Sequence, residues 1–341
     1  MGIDTSRESR SSTPELIDAM AEVAARVGAQ RQTPVVLTER ADVLVLRIGA
    51  VVVKAHPAET DAAALLSRLC LASAPRWRGI LLPPLPIGDA LLVHRGSHTI
   101  TAWPYGEPVD PDDPDAAPWE AAATLLARLH ALPEPGRDLP EPGRDRPEPG
   151  RDLPAAGGPA RVHRAMRRLR AAGAAADQAA AATVCQAFAA LPDLFAVPAG
   201  SARLPEPAAP RRTLVHGDFH LGQLVRDPHE NTGSWRLIDI DDLGSGDPAW
   251  DLARPAALFA AGILEPVTWL RFLDAYRAAD GVAVPREGDE WTALDTPARA
   301  VAVQAAALAL VAAARENREL DDLDTALVDA CRRIATASVI S

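Results

Sequence analysis

The groups best suited to chemistry lie between His216 and Asp241. His216-Gly217-Asp218 puts a carboxylate on a glycine turn, and Gln223 offers an amide oxygen five residues further on. Trp235-Arg236-Leu237-Ile238-Asp239-Ile240-Asp241 then ends a short apolar strand on acids. Moving a phosphoryl group from a nucleotide to an alcohol needs one carboxylate to orient the attacking hydroxyl. It also needs two oxygen ligands to hold magnesium against the phosphates. In that reading Asp218 is the catalytic carboxylate. Gln223 and Asp239 are the metal ligands, with Asp241 as an aid.

A second clue is a residue type used once. Among 35 basic residues the chain has a single lysine, Lys54, and all the others are arginine. A compact ammonium does what a planar guanidinium cannot, so a lysine kept against such a bias points to a place that needs a point charge. Lys54 ends the β-branched run Val51-Val52-Val53, and kinase-like folds carry their phosphate-binding lysine on the third strand of the small lobe.

These residues resemble the aminoglycoside phosphotransferase family of small-molecule kinases, with some similarity to bacterial maltose and amino-sugar kinases. The likeness rests on His216-Gly217-Asp218 with an amide at the fifth position, on Ile238-Asp239, and on the tail Gly246-Asp247-Pro248-Ala249-Trp250-Asp251-Leu252-Ala253. Three short motifs in order and at the right spacing are far more specific than any one alone. One position departs: the family's amide is usually Asn, and here it is Gln223.

The resemblance implies an α+β, bilobal, protein-kinase-like fold. The small lobe is an antiparallel sheet plus a helix, and the large lobe is mostly helical. ATP is the co-substrate, Mg2+ the cofactor, and the acceptor a small-molecule hydroxyl: an aminoglycoside-like or other antibiotic, a sugar, or an amino alcohol. An acid after the third strand is expected to pair with Lys54. Asp61 fits, four residues before the apolar Leu65, and Glu59 is the alternative. Trp103-Pro104-Tyr105-Gly106 looks like the hinge that contacts adenine. Counting back from Gly106, Ala102 supplies the carbonyl and the donor position falls on Pro104, which has no N–H. Either the register slips by a residue, through Trp103, or one adenine contact is missing. No glycine-rich loop is apparent: the turn Thr38-Glu39-Arg40-Ala41-Asp42 lacks glycine and carries two acids.

The elements that must position these groups follow from pattern. Residues 1–12 read as a disordered tail, and Thr13-Pro14-Glu15 has the cap, proline and acid of a helix start. Pro34–Leu37, Val43–Ile48 and Val51–Lys54 read as strands, with a tight hairpin at Gly49-Ala50. Leu91–His94 and His98–Trp103 form another pair. The small lobe is thereby expected at 13–103 and the large lobe at 104–341. Trp119–Leu132 repeats apolar residues at helical spacing, and His130 on it reads as a packed, hydrogen-bonded residue. A seven-residue repeat begins at Glu134, Glu141 and Glu148; each unit carries Pro and Gly, so it reads as a solvated insert, bounded at 133–160. Arg161–Ala190 and most of 248–340 read as helices. Asp251 is expected to anchor the Asp218 loop.

The net charge of −11 disfavours nucleic acid, whose backbone demands a basic face. It suits a cationic substrate, and equally it only promotes solubility. The three cysteines are scattered, as in a reduced cytoplasmic protein. Residues 1–12 have no apolar core of a secretory signal. The Ala-rich run from Ala300 to Ala314 is broken by Gln304 and reads as a packed helix rather than a membrane span.

Two rival readings remain. Gly217-Asp218-Phe219-His220 also suits a two-metal phosphoesterase, but such enzymes need an Asn-His pair, and neither Asn231 nor Asn317 precedes a histidine. A kinase-shaped pseudoenzyme that binds nucleotide or a partner without turnover is the non-catalytic alternative.

Overall fold

The computed structural model describes residues 8–40, 43–131, 153–192, 212–230 and 233–337. Most of the repeat insert, and the turn at 41–42, lie outside these residues. The first half runs α1 (Glu8–Arg26), β1 (Val35–Arg40), β2 (Val43–Ile48), β3 (Val51–His56), α2 (Ala62–Ser73), β4 (Val93–Arg95), β5 (His98–Pro104) and α3 (Trp119–Ala131). The second half runs α4 (Gly158–Ala172), α5 (Gln178–Ala189), β6 (Thr213–Val215), β7 (Leu224–Arg226), β8 (Trp235–Leu237), β9 (Gly244–Gly246), α6 (Ala249–Ala260), α7 (Pro266–Ala278), α8 (Trp291–Glu316) and α9 (Asp322–Ala337). An antiparallel sheet precedes a helical region, the α+β class expected from the resemblance.

The chain divides into two compact units. The first holds the described residues of Met1–Val109 and Gly222–Asp241, with Leu153. Its five-stranded sheet has the order β1-β2-β3-β5-β4, antiparallel at every pairing. Strand alternation sorts the side chains. Val51, Val53 and Ala55 of β3 are buried in a core with Met20, Val23 and Ala24 of α1 and with Leu44, Leu46, Ile100 and Ala102. Val52 and Lys54 therefore fall on the opposite face. The hairpin β7-β8 also belongs to this unit: Pro108 bridges Val225, and Leu82 and Leu237 are hydrogen-bonded at 2.9 Å.

Five local expectations need correction. Helix α1 starts at Glu8 and contains Pro14, so part of the expected tail is helical and Pro14 sits in the helix rather than opening it. Strand β1 continues to Arg40, with Thr38, Glu39 and Arg40 opposite Val45, Leu44 and Val43 across a bulge. Sheet pairing thus recruits residues whose types read as a turn. The expected helix at Arg161–Ala190 is two helices, broken where Gly173 takes φ 53° and Asp177 caps α5 by accepting the Ala180 N–H. The described end of the insert is folded: Ala155 bridges Ser245, and α4 begins at Gly158.

Asp61 is the fifth. Its Oδ1 accepts the N–H groups of Ala63 and Ala64 at 3.0 and 3.1 Å and caps α2. The first turn of a helix leaves N–H donors without partners, and the adjacent Asp61 carboxylate accepts two of them, which commits it locally. Lys54 takes other partners, described below.

The second unit holds the described residues of Asp110–Asp138, Pro154–Leu221 and Asp242–Ser341. The short pair β6-β9 carries the segment that precedes Asp218. Helix α8 is long and apolar enough to cross a membrane by length and composition, but Leu294, Val303, Ala306 and Leu310 along it are buried among the helices of this unit.

Replacing Asp61 with Ala should cost about 1 kcal/mol of stability, the usual value of a lost helix cap, measured by urea unfolding. Nucleotide affinity should stay unchanged in a parallel titration. A large loss of affinity at unchanged stability would return Asp61 to the neighbourhood of Lys54.

Candidate active site

Two sets of polar side chains stand out, one in each unit. In the first unit, Lys54 Nζ lies 2.7 Å from Asp239 Oδ1 and 2.8 Å from Asp241 Oδ2. The partners are 185 residues apart for Asp239. Gln223 adds an amide 3.3 Å from Asp239 Oδ2, and its backbone carbonyl accepts the Ile238 N–H at 2.9 Å, which ties the start of β7 to the end of β8. Asp239 has φ 59°, a left-handed backbone that a non-glycine residue adopts only when its surroundings enforce it. His56, two residues beyond Lys54 on β3, places Nδ1 3.3 Å from Asp241 Oδ2 and Nε2 3.0 Å from Thr101 Oγ1.

Burial by itself would lower the Lys54 ammonium, but the charges of Asp241 and Asp239 outweigh it and hold the group above the ordinary lysine value. Burial would likewise raise Asp241, and Lys54 with His56 holds it far below the usual carboxylate range. The two groups therefore stay charged over the physiological range.

Among the described residues, no group of three or more His, Cys, Asp and Glu side chains forms a protein-only metal cage. Oxygen donors from Asp239 and Gln223, with Asp241 near, suit a hard cation. Magnesium is commonly bound by one or two carboxylates plus substrate phosphates.

The expected hinge is differently used. Strand β5 runs on to Pro104, which pairs with Val51. Ala102 is fully buried, and its carbonyl accepts the Leu85 N–H at 2.8 Å. That bond takes one of the two acceptor positions of the carbonyl expected to meet adenine. Trp103 donates its indole N–H to Thr101 Oγ1 at 3.1 Å, and the Tyr105 N–H goes to the Ala50 carbonyl at 2.8 Å.

In the second unit, Asp218 follows β6 on a turn that requires Gly217. That glycine has φ 82°, and a Cβ there would lie 2.2 Å from the Asp242 carbonyl oxygen. The turn is held by Asp251 of α6, fully buried, which accepts the N–H of His216 at 2.6 Å and of Gly217 at 2.8 Å. Asp251 Oδ2 also lies 3.0 Å from His130 Nε2, His130 Nδ1 lies 2.7 Å from the Tyr276 hydroxyl, and that hydroxyl accepts the Ala283 N–H at 3.0 Å. One proton arrangement satisfies the whole chain: His130 donates from Nε2 to Asp251 and accepts at Nδ1 from Tyr276. Burial alone would raise Asp251; the hydrogen bond and field of His130, with the His216 N–H, hold it below the usual value.

Asp218 itself is paired with two arginines. Arg161 Nη2 lies 2.6 Å from Oδ2 and Arg254 Nη2 3.2 Å from Oδ1. Arg161 also holds Asp242 at 2.5 Å, and Arg164 lies 3.3 Å from Asp242. Burial pushes the Asp218 carboxyl upward, and Arg161 and Arg254 offset only part of that. The sequence reading had passed over Arg161, Arg254 and His56. His56 carried a signal, the two-residue period of β3; the arginines carried none, being two among many.

Small-molecule kinases are the class that this fold and these side chains define, and the chain belongs to the phosphotransferase enzyme family, whose model matches residues 22–294. Solved structures agree in fold. A choline/ethanolamine kinase family protein from Mesorhizobium loti is 16% identical, with TM-score 0.53 over 96% of this chain and 95% of that one. A spectinomycin phosphotransferase solved with ADP and spectinomycin is 14% identical, with TM-score 0.51 over 95% and 98%. A thermostable mutant of an aminoglycoside phosphotransferase is 14% identical, with TM-score 0.54 over 94% and 100%. No curated protein matches the chain significantly in sequence.

Asp251→Ala strands the buried N–H groups of His216 and Gly217. Each orphan costs about 1–3 kcal/mol, so a loss of about 3 kcal/mol is expected in urea unfolding. The sign with pH follows from the depressed carboxyl: its stabilisation is complete above the unfolded-state value of about 4 and fades as pH falls below it. Asp251→Asn should therefore flatten the acid side of the stability–pH curve.

Proposed function

We propose that this chain transfers the γ-phosphoryl group of ATP to a hydroxyl of a small molecule, with Mg2+ as cofactor. The observation that carries the reading is the convergence of Lys54 on Asp239 and Asp241 at 2.7 and 2.8 Å. An ammonium beside two acids is a site built to exchange partners: the acids turn to a cation and the ammonium to phosphate oxygens. Kinase-fold relatives of similar structure have been solved with ADP, AMP-PNP or GDP, which supports a nucleotide co-substrate.

Lys54 binds and orients the phosphates. Asp239 and Gln223, aided by Asp241, would hold magnesium, which when bound neutralises charge on the transferring group. Asp218 accepts, or points, the acceptor's hydroxyl proton while the oxygen attacks the γ-phosphorus and the bond to ADP breaks. General-base help of this kind is worth about 10²–10⁴ in rate. Asp251, His130 and Gly217 position Asp218 and touch no substrate. The raised carboxyl of Asp218 suits a base, and its two arginines keep it available as the anion.

The test is ADP release with a panel of alcohols. Asp218→Asn should lower acceptor-dependent turnover about 10²-fold or more while nucleotide binding persists. Lys54→Met and Asp239→Asn should weaken binding of Mg·ATP itself. Acceptor-dependent turnover that survives Asp218→Asn would overturn the assignment of that residue.

A further inference from the structure

The Asp218 pocket has a composition that the phosphoryl-transfer reading does not require. It lies wholly within the second unit and is lined by Gly158, Arg161, Asp218, Trp250, Arg254 and Gln304 among others. Among the described residues its charged lining is two guanidiniums against one carboxylate. Two further acids lie near in this unit: Asp242 is bound to Arg161 and Arg164, and Asp251 is taken by the N–H groups of His216 and Gly217.

Gln304 is the independent observation. It is the polar residue in the Ala-rich run of α8, it is 3% exposed, and it faces this pocket. Among the described residues its amide has no hydrogen-bond partner. The side chain is enclosed except where its amide opens on the pocket, so a bound molecule can take the place of water on it. Arg254 points the same way. Among the described residues its one hydrogen bond runs from Nη2 to Asp218 at 3.2 Å, and a guanidinium has five N–H donors in a fixed fork.

Resting on the reading of Asp218 as the base, we propose that Arg254, Arg161 and Gln304 form an acceptor subsite that selects a compact hydroxy compound carrying an anionic group, carboxylate or phosphate. The group lies only a few bonds from the reacting hydroxyl. The spacing follows from Arg254: one edge of its guanidinium meets Asp218, so an anion held on the other edge lies close to the hydroxyl that Asp218 orients. Gln304 recognises a further polar group of the same molecule. Trp250 and Val301 supply the apolar wall. A polycationic acceptor would place ammonium groups against two guanidiniums, which selects against it.

Two matched sets test this, each varying charge on one skeleton: glycerate, glycerol 3-phosphate, glycerol and serinol; then glucuronate, glucose 6-phosphate, glucose and glucosamine. The full chain is assayed with Mg·ATP. An anionic member should exceed its neutral and cationic partners by about tenfold or more in kcat/KM, the worth of a charge-assisted hydrogen bond. Arg254→Gln should erase that preference chiefly through KM, and Gln304→Leu should weaken the same substrate without changing the charge preference. Preference for either anion supports the proposal, and the better of the two identifies the group. Equal or better turnover of serinol or glucosamine overturns it and leaves the kinase reading standing. If no compound is turned over, the kinase reading loses its support, and thermal shift decides the subsite separately. Stabilisation of the wild type by glycerate, glucuronate or their phosphate counterparts, absent in Arg254→Gln, upholds it. No shift, or equal shifts in both proteins, overturns it.

Discussion

An ammonium held between two carboxylates organises the first unit. Charges that are half-buried and unpaired are expensive, and each member of the Lys54, Asp239 and Asp241 group makes the others tolerable. The arrangement needs β3 and the end of β8 to meet, and hydrogen bonds from Leu237 to Ile80 and Leu82 fix the end of β8 within this unit. It also needs Asp239 to hold a left-handed backbone. The result is one positive charge held between two negative ones on a framework of paired strands.

The second unit solves a different problem. Asp218 sits on a turn whose N–H groups point inward, where water cannot satisfy them. Asp251 meets two of these donors at once, and His130 and Tyr276 complete its surroundings. Such a network is worth little if half made and much if complete. The crowding at Gly217, where a Cβ would strike the Asp242 carbonyl, shows how tightly the turn is wedged. The position of the Asp218 carboxylate is thus set by buried groups with no chemistry of their own.

Charge type divides between the units in a way that composition foreshadows. The one lysine faces Asp239 and Asp241, while arginines surround Asp218. A point charge suits partners that are exchanged, and a planar fork suits a held carboxylate or an anionic ligand. The overall charge of −11 says nothing of this, because a pocket's sign is decided by the few side chains that line it.

The sequence by itself determined the chemistry-bearing residue types and their local frames: the glycine turn before Asp218, the acids after the β8 strand, and the lysine closing β3. These are legible because short-range sterics and strand period act over a few residues. The structure alone decided which distant groups meet. Lys54 could be paired with Asp61 on paper, since both lie near one helix start, until capping claimed Asp61 and the fold delivered Asp239 and Asp241. The Ala102 carbonyl accepts the Leu85 N–H, a partner that strand spacing does not record. Arg161, Arg254 and Gln304 were indistinguishable from ordinary surface or helix residues, because nothing in local spacing records which side chains face a common pocket. Partner choice is a competition among long-range contacts, and only the folded chain settles it.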